Sequence, residues 1–209
     1  MQTGRQQEII FTVLDLINEK GIQGLTIKNL SKKLKITEPA IYRHFENKIQ
    51  ILIALLDMLK ENTSGIFEKE LQSKESAVTK VERLFEKHFQ TFAEKPSLSS
   101  VVFSEEMFRN EEQLNSKISE IIDVNNKILL TILKQGQQKN EIRSDMDAEH
   151  LVVMIMGTLR LFVKKWQFSK FAFDLQKEGS SLIQSVKLII SKKIVVPEGK
   201  AQEVLETQH

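Results

Sequence analysis

Cysteine is absent from this sequence, which excludes disulfides and thiolate metal sites and leaves nothing that argues for an oxidising compartment. Histidine is scarce, with four residues including the C-terminal His209, and acid-x-x-His spacing falls within a predicted helix once, at Asp147–His150. A helical di-metal carboxylate enzyme needs that pair on two helices, so that class is not expected. A Gly-rich phosphate loop, a nucleophile elbow and an HExxH pair are missing as well. The expectation is a protein with no catalytic residues, no metal site and no cofactor.

Long apolar runs are also lacking. The most apolar stretch, Leu151–Val163, is too short to span a bilayer and carries Arg160. The N-terminal apolar segment is interrupted by Asp15 and Glu19, unlike the h-region of a signal peptide. A soluble, cytoplasmic protein without a membrane partner is expected. Runs of alternating β-branched residues and internal repeats are missing too. Net charge is only +2, but residues 1–60 hold nine Lys/Arg against six Asp/Glu, and the remainder 21 against 22. The small excess therefore sits at the N-terminal end, where a phosphate footprint needs it locally.

What the sequence does have is helical periodicity, in a chain 41% hydrophobic and 28% charged with ample material for a core. Ile10, Val13, Leu14 and Ile17 predict an amphipathic helix over about Arg5–Lys20, punctuated by Gly21 and Gly24. Thr26 caps a short helix carrying Ile27, Leu30 and Leu34. After a break at Lys35–Ile36, Thr37 caps a second short helix with Glu38 and Pro39 in its first turn. Glu46–Asn47 opens a longer helix to about Leu71. Further helices are predicted around Val78–Phe92, Leu98–Phe108, Glu111–Lys139, Met146–Gln167 and Phe171–Lys193, about nine in all. The fold class is all-α: a three-helix N-terminal domain over residues 1–50, a helical bundle over 51–195, and a polar, disordered tail over 196–209.

The informative stretch is Leu25–Lys48, LTIKNLSKKLKITEPAIYRHFENK. Two short helices meet across a break and a longer one follows, the layout of a helix-turn-helix. Ile27, Leu30, Leu34, Ile36, Ile41 and Phe45 suit a shared mini-core. Thr26, Lys28, Thr37, Glu38, Ala40, Tyr42, Arg43, His44 and Lys48 remain outside, a set rich in groups that bond phosphates and base edges. Tyr42 and Phe45 also suit a core, Phe45 the more so. Lys32, Lys33 and Lys35 also suit a solvated face.

The pattern from Thr26 to Lys48, and above all the octet Ile41-Tyr42-Arg43-His44-Phe45-Glu46-Asn47-Lys48, resembles the DNA-binding signature of the TetR family of transcriptional regulators. The resemblance implies that Thr26 bonds phosphate with Lys28 close by, and that Thr37, Glu38, Pro39 and Ala40 form the recognition-helix tip. It implies that Tyr42 and His44 contact the backbone, Tyr42 also reaching a base methyl, and that Lys48 binds phosphate at a helix N-terminus. Arg43 would read a base or hold the backbone. Two departures stand out: only Arg5 precedes the first helix, so a basic arm is wanting, and Glu38 brings a carboxylate to the tip. That carboxylate either accepts from a cytosine amino group or caps its helix.

More faintly, Gly136–Asp147 resembles the family's turn between its seventh and eighth helices, and Gly157 also fits. Leu151–Val163 is apolar nearly all round, so it is covered either by the domain or by a second subunit. With Leu182, Val186 and Ile189 of the last helix, and Ile183 and Ile190 adjoining, it predicts a homodimer through the last two helices. Two recognition helices about 34 Å apart would then read a palindromic operator. Phe85, Phe89, Phe92, Phe103, Met107, Phe108, Met154, Phe162 and Trp166 read by default as core. The resemblance implies that some of them line a cavity for an apolar or amphipathic effector, with His88 and Arg160 as polar anchors. The expected function is a sequence-specific regulator, a repressor released by that effector. The alternative is a ligand-independent helix-turn-helix protein that organises DNA.

Overall fold

The computed structural model describes residues 3–104 and 111–192. Met107, Phe108 and the tail 196–209 lie outside the described residues. Nine α-helices are seen among the described residues, with an isolated antiparallel bridge between Ile142 and Ser191. Among the same residues, no helix is long and apolar enough to cross a membrane.

The first helix, α1 (Gly4–Lys20), begins with a capping box in which the Thr3 hydroxyl accepts from the Gln6 amide and the Gln6 side chain accepts from the Thr3 amide. It buries Ile9, Ile10, Val13, Leu14, Leu16 and Ile17. Gly21 closes it at φ 67°, a backbone region that side chains disfavour, and its N–H donates to Ile17 O at 2.8 Å. A 3₁₀ turn (Ile22–Gly24) leads to α2 (Ile27–Leu34) and α3 (Glu38–Tyr42). The body follows as α4 (Lys48–Gln72), α5 (Ala77–Glu94), α6 (Pro96–Val102), α7 (Glu112–Gln138), α8 (Ala148–Phe168) and α9 (Leu175–Ile190).

The last two helices are shorter than periodicity predicts, and capping gives the reason. Asp147 accepts from the Glu149 amide at 2.6 Å, so α8 starts at Ala148. Lys170 and Phe171 turn left-handed at φ 56° and 62°, and the Phe171 N–H returns to Trp166 O at 2.9 Å, ending that helix. Asp174 then accepts from the amides of Gln176 and Lys177 to start α9. At the far end the Arg143 N–H takes up the Ile190 carbonyl at 2.9 Å.

α4 lies along α7, and α5 packs on α9. Asp57–Lys117 and Lys60–Glu120 ion pairs mark the α4–α7 register. α6 touches α1, α5 and α8, so it sits where the N-terminal head meets the body. The inward side of α9 is Leu175, Gly179, Ile183, Val186 and Ile190. This corrects the predicted grouping of Val186 with Ile189, because Val186 is buried within the subunit while Ile189 faces out. Gly179 admits the Phe89 ring: a Cβ there would lie 2.3 Å from Phe89 Cδ2.

Candidate nucleic-acid interface and effector cavity

The head is held by Leu30, Ile41 and Phe45 buried against α1, with Ile27, Leu34 and Ile36 packed at the edge. Thr26 caps α2 by accepting from the Asn29 amide at 3.1 Å, and Asn29 Nδ2 donates to Gly24 O at 2.8 Å. Lys35 closes α2 in the left-handed region at φ 54°, and the Ile36 N–H reaches back to Ser31 O. That tight corner sets α3 across α2. Gln6 Nε2 donates to His44 O at 3.3 Å, pinning the segment after α3 to α1. Asn47 then caps α4 by accepting from the Gln50 amide at 2.9 Å, which places Lys48 at the first position of a 25-residue helix.

The outer surface of this unit carries the polar set singled out in the sequence. Thr26, Lys28, Thr37, Glu38, Pro39, Tyr42, Arg43 and Lys48 are exposed, and Ala40 and His44 are half-buried. Tyr42 is 49% exposed while Phe45 is buried, so of the two aromatics only Phe45 belongs to the core. The Thr37 hydroxyl makes no capping bond. Glu38 makes no ion pair with another described residue. Arg5, expected ahead of the first helix, lies in the first turn of α1 and pairs with Glu8, and Lys33 pairs with Glu19. Lys28, Lys32 and Lys35 remain on the open face.

In the body a small apolar cavity of about 10 Å³, room for about one water, lies between four helices. Its walls are Phe67 of α4, Val81, Leu84, Phe85 and His88 of α5, Leu129 of α7, and Ile155, Met156 and Leu159 of α8. His88 is its polar group: Nδ1 lies 2.8 Å from Leu84 O, and the ring meets Phe67 edge-on at 5.5 Å. Burial pushes the imidazole below its ordinary value, opposed in part by the bond to the Leu84 carbonyl, so the neutral form is favoured.

Two aromatic rows lead away from the cavity. One runs from Phe67 through His88 and Phe92 to Phe103, over which the Arg160 guanidinium sits at 5.9 Å. The other runs from Phe85 through Phe89 and Phe162 to Phe173. Of the residues named from the sequence, the cavity gathers Phe85 and His88. Phe89, Phe92, Phe103 and Phe162 stand in the rows behind it. Trp166 packs on Phe171, and its indole N–H is committed to Phe173 O at 2.9 Å. Met154 and Arg160 face outward on α8. The aliphatic walls were missed because Leu84 or Ile155 in a helix has the same spacing whether it touches a neighbour or a cavity.

The outer side of α8 and α9 carries Val153, Leu161 (72% exposed), Phe168, Leu188 (83%) and Ile189. Gly157 lies among them with open space above its Cα. Val153, Gly157, Leu161 and Phe168 share one face of α8 at helical spacing, and an exposed apolar face of this kind marks an interaction surface.

A family model described as "Bacterial regulatory proteins, tetR family" matches residues 9–55, and one described as "YsiA-like protein, C-terminal region" matches residues 58–191. The fatty acid metabolism regulator protein of Bacillus subtilis is 27% identical over 180 residues, covering 86% of this chain and 92% of that protein. The crystal structure of the transcriptional regulator FadR from Bacillus subtilis in complex with stearoyl-CoA superposes with a TM-score of 0.77 at 27% identity, over 88% of this chain and 98% of that one. The head alone is similar to the class A tetracycline repressor from transposon 1721 in Escherichia coli, 47% identical over 55 residues, 26% of each chain. With a helix-turn-helix at residues 26–48 and a helical body matched from 58 to 191, the chain belongs to the tetR family of bacterial regulatory proteins and is a DNA-binding transcriptional regulator.

Proposed function

We propose that the protein is a cytoplasmic repressor that binds a palindromic operator as a homodimer and is released by a long-chain acyl-CoA thioester. The head, residues 1–50, does the DNA binding. Thr37, Glu38, Pro39 and Ala40 face base edges, while Thr26, Lys28, Tyr42, His44 and Lys48 hold phosphates and Arg43 lies beside them. The body, residues 51–195, senses and dimerises. Val153, Leu161 and Phe168 of α8 and Leu188 and Ile189 of α9 form the self-complementary patch, with Gly157 allowing the helices of two subunits to approach.

The observation that carries the effector reading is the apolar cavity walled by α4, the helix that begins at Lys48 in the head. A likeness to a regulator crystallised with stearoyl-CoA gives that cavity its occupant class. At about 10 Å³ the cavity is far smaller than the roughly 300–1,000 Å³ typical of ligand sites. A long acyl chain would therefore have to part α4, α5, α7 and α8. Parting them moves α4 directly and α6 through the Phe92–Phe103 contact, and both reach the head. A ligand that fits only the parted state lowers operator affinity by its preference for that state.

The test uses an operator selected from a random duplex pool, followed by fluorescence anisotropy with stearoyl-CoA, stearate or CoA. Release by stearoyl-CoA and not by CoA is expected, and equal operator affinity with and without the thioester would overturn the effector reading. A monomer by light scattering at micromolar concentration would remove the dimer.

A further inference from the structure

We infer that Glu38 selects a cytosine in each half of the operator. The inference rests on the reading that α3 enters the major groove, and it adds the base that the carboxylate recognises.

Glu38 opens α3 and is exposed beside Thr37, whose hydroxyl makes no capping bond. The surrounding polar surface is cationic, with Lys28, Arg43 and Lys48 exposed, yet Glu38 forms no ion pair with another described residue. A fixed negative charge brought to a polyanion is repelled unless it accepts from a donor there. The major groove offers two base donors, cytosine N4 and adenine N6. Adenine N6 lies between two acceptors, its own N7 and thymine O4, and both repel a carboxylate. Cytosine N4 has guanine O6 on one side only, with the ring C5–H on the other. The carboxylate therefore favours cytosine over adenine and disfavours guanine and thymine, which show it acceptors. Thr37 can bond either kind of group and adds no such preference.

The experiment selects duplexes from a random pool with the wild-type protein, Glu38→Gln and Glu38→Ala. Affinities are then measured on the selected site carrying each of the four bases at the position that changes. The wild-type protein is expected to favour cytosine there by about tenfold. Glu38→Gln, whose amide matches adenine N6 and N7 together, should move that one position to adenine. Glu38→Ala should lose the preference there, keep the rest of the site, and bind random duplex more tightly because a repulsive charge is gone. Retained cytosine preference in Glu38→Ala, with all sites changed equally, would overturn the inference and leave Glu38 a role in shaping α3. Enrichment of no palindrome by any of the three proteins would overturn the groove-binding reading along with it.

Discussion

The two ends of α4 lie in opposite surroundings. At Lys48 the helix begins on the open face of the head, among Tyr42, Arg43 and Lys28, whose exposed tips take little part in holding the fold. At Phe67 it walls a cavity whose lining residues are mostly buried core members. On the proposed reading the head therefore keeps its fold and its binding surface in separate side chains. In the body, on the proposed effector reading, the same side chains serve both, so a substitution there should alter stability and ligand response together.

The head offers the largest effect with which to break that contrast. Tyr42→Ala combined with Lys48→Ala should weaken operator binding roughly a hundredfold, since each removes one polar contact to DNA. Removing the Lys48 charge should also flatten the salt dependence by about one phosphate's worth. Unfolding free energy should stay within about 0.5 kcal/mol of wild type, as both side chains are exposed. Urea denaturation beside anisotropy titrations checks both halves. A stability loss comparable to the binding loss would show that fold and binding surface are not separate in the head.

The same separation explains what could be read from the sequence. In the head, Tyr42, His44 and Lys48 stand out because polar and aromatic groups in fixed register beside Ile41 and Phe45 do not arise from packing alone. The helices of the body were equally legible, because Val81, Phe85, Phe89 and Phe92 announce one buried face. The cavity was not. Phe67, Leu129 and Met156 follow the ordinary core period, and whether such a side chain meets a neighbour or an empty volume depends on how four helices converge. The exposed apolar face was half legible: the apolar excess of α8 points to a covered surface, yet the spacing of Val186 with Leu182 and Ile189 groups it with the outward side. The packing of α5 on α9, with Phe89 set over Gly179, turns it inward.

A smaller effect should come from filling the cavity. Leu159→Phe puts a larger ring where Leu159 now lines it. Operator binding should persist, while the stearoyl-CoA concentration needed for release rises about tenfold, the scale of ~1.4 kcal/mol. Unfolding free energy should shift by about 1 kcal/mol, its sign set by how far the void accepts the ring without strain. An unchanged stability with an abolished effector response would erase the contrast with the head, since sensing and packing would then be separable in the body too.

The smallest effect concerns the one titratable group in the cavity wall. His88 is held neutral by burial, with its Nδ1 hydrogen bonded to Leu84 O, so its folded pKa lies below the ordinary value of 6.5. Between that lowered value and 6.5 the unfolded chain binds more protons than the native one, and stability rises with pH. The contribution is fully present above about 6.5 and is lost as pH falls from there toward the lowered folded value, below which the slope from this group vanishes. Its steepest size is about 1.4 kcal/mol per pH unit. Glu120 does not interfere, because the Lys60 and Lys117 ammonium groups hold its carboxyl below the usual 4.5, under this window. Urea denaturation between pH 5.5 and 7.5 should show the slope in the wild-type protein and a flatter profile in His88→Gln, which keeps a polar side chain without the titration. Parallel profiles would mean that the imidazole titrates alike in both states, and that the cavity wall, like the head, carries its polar group in contact with water.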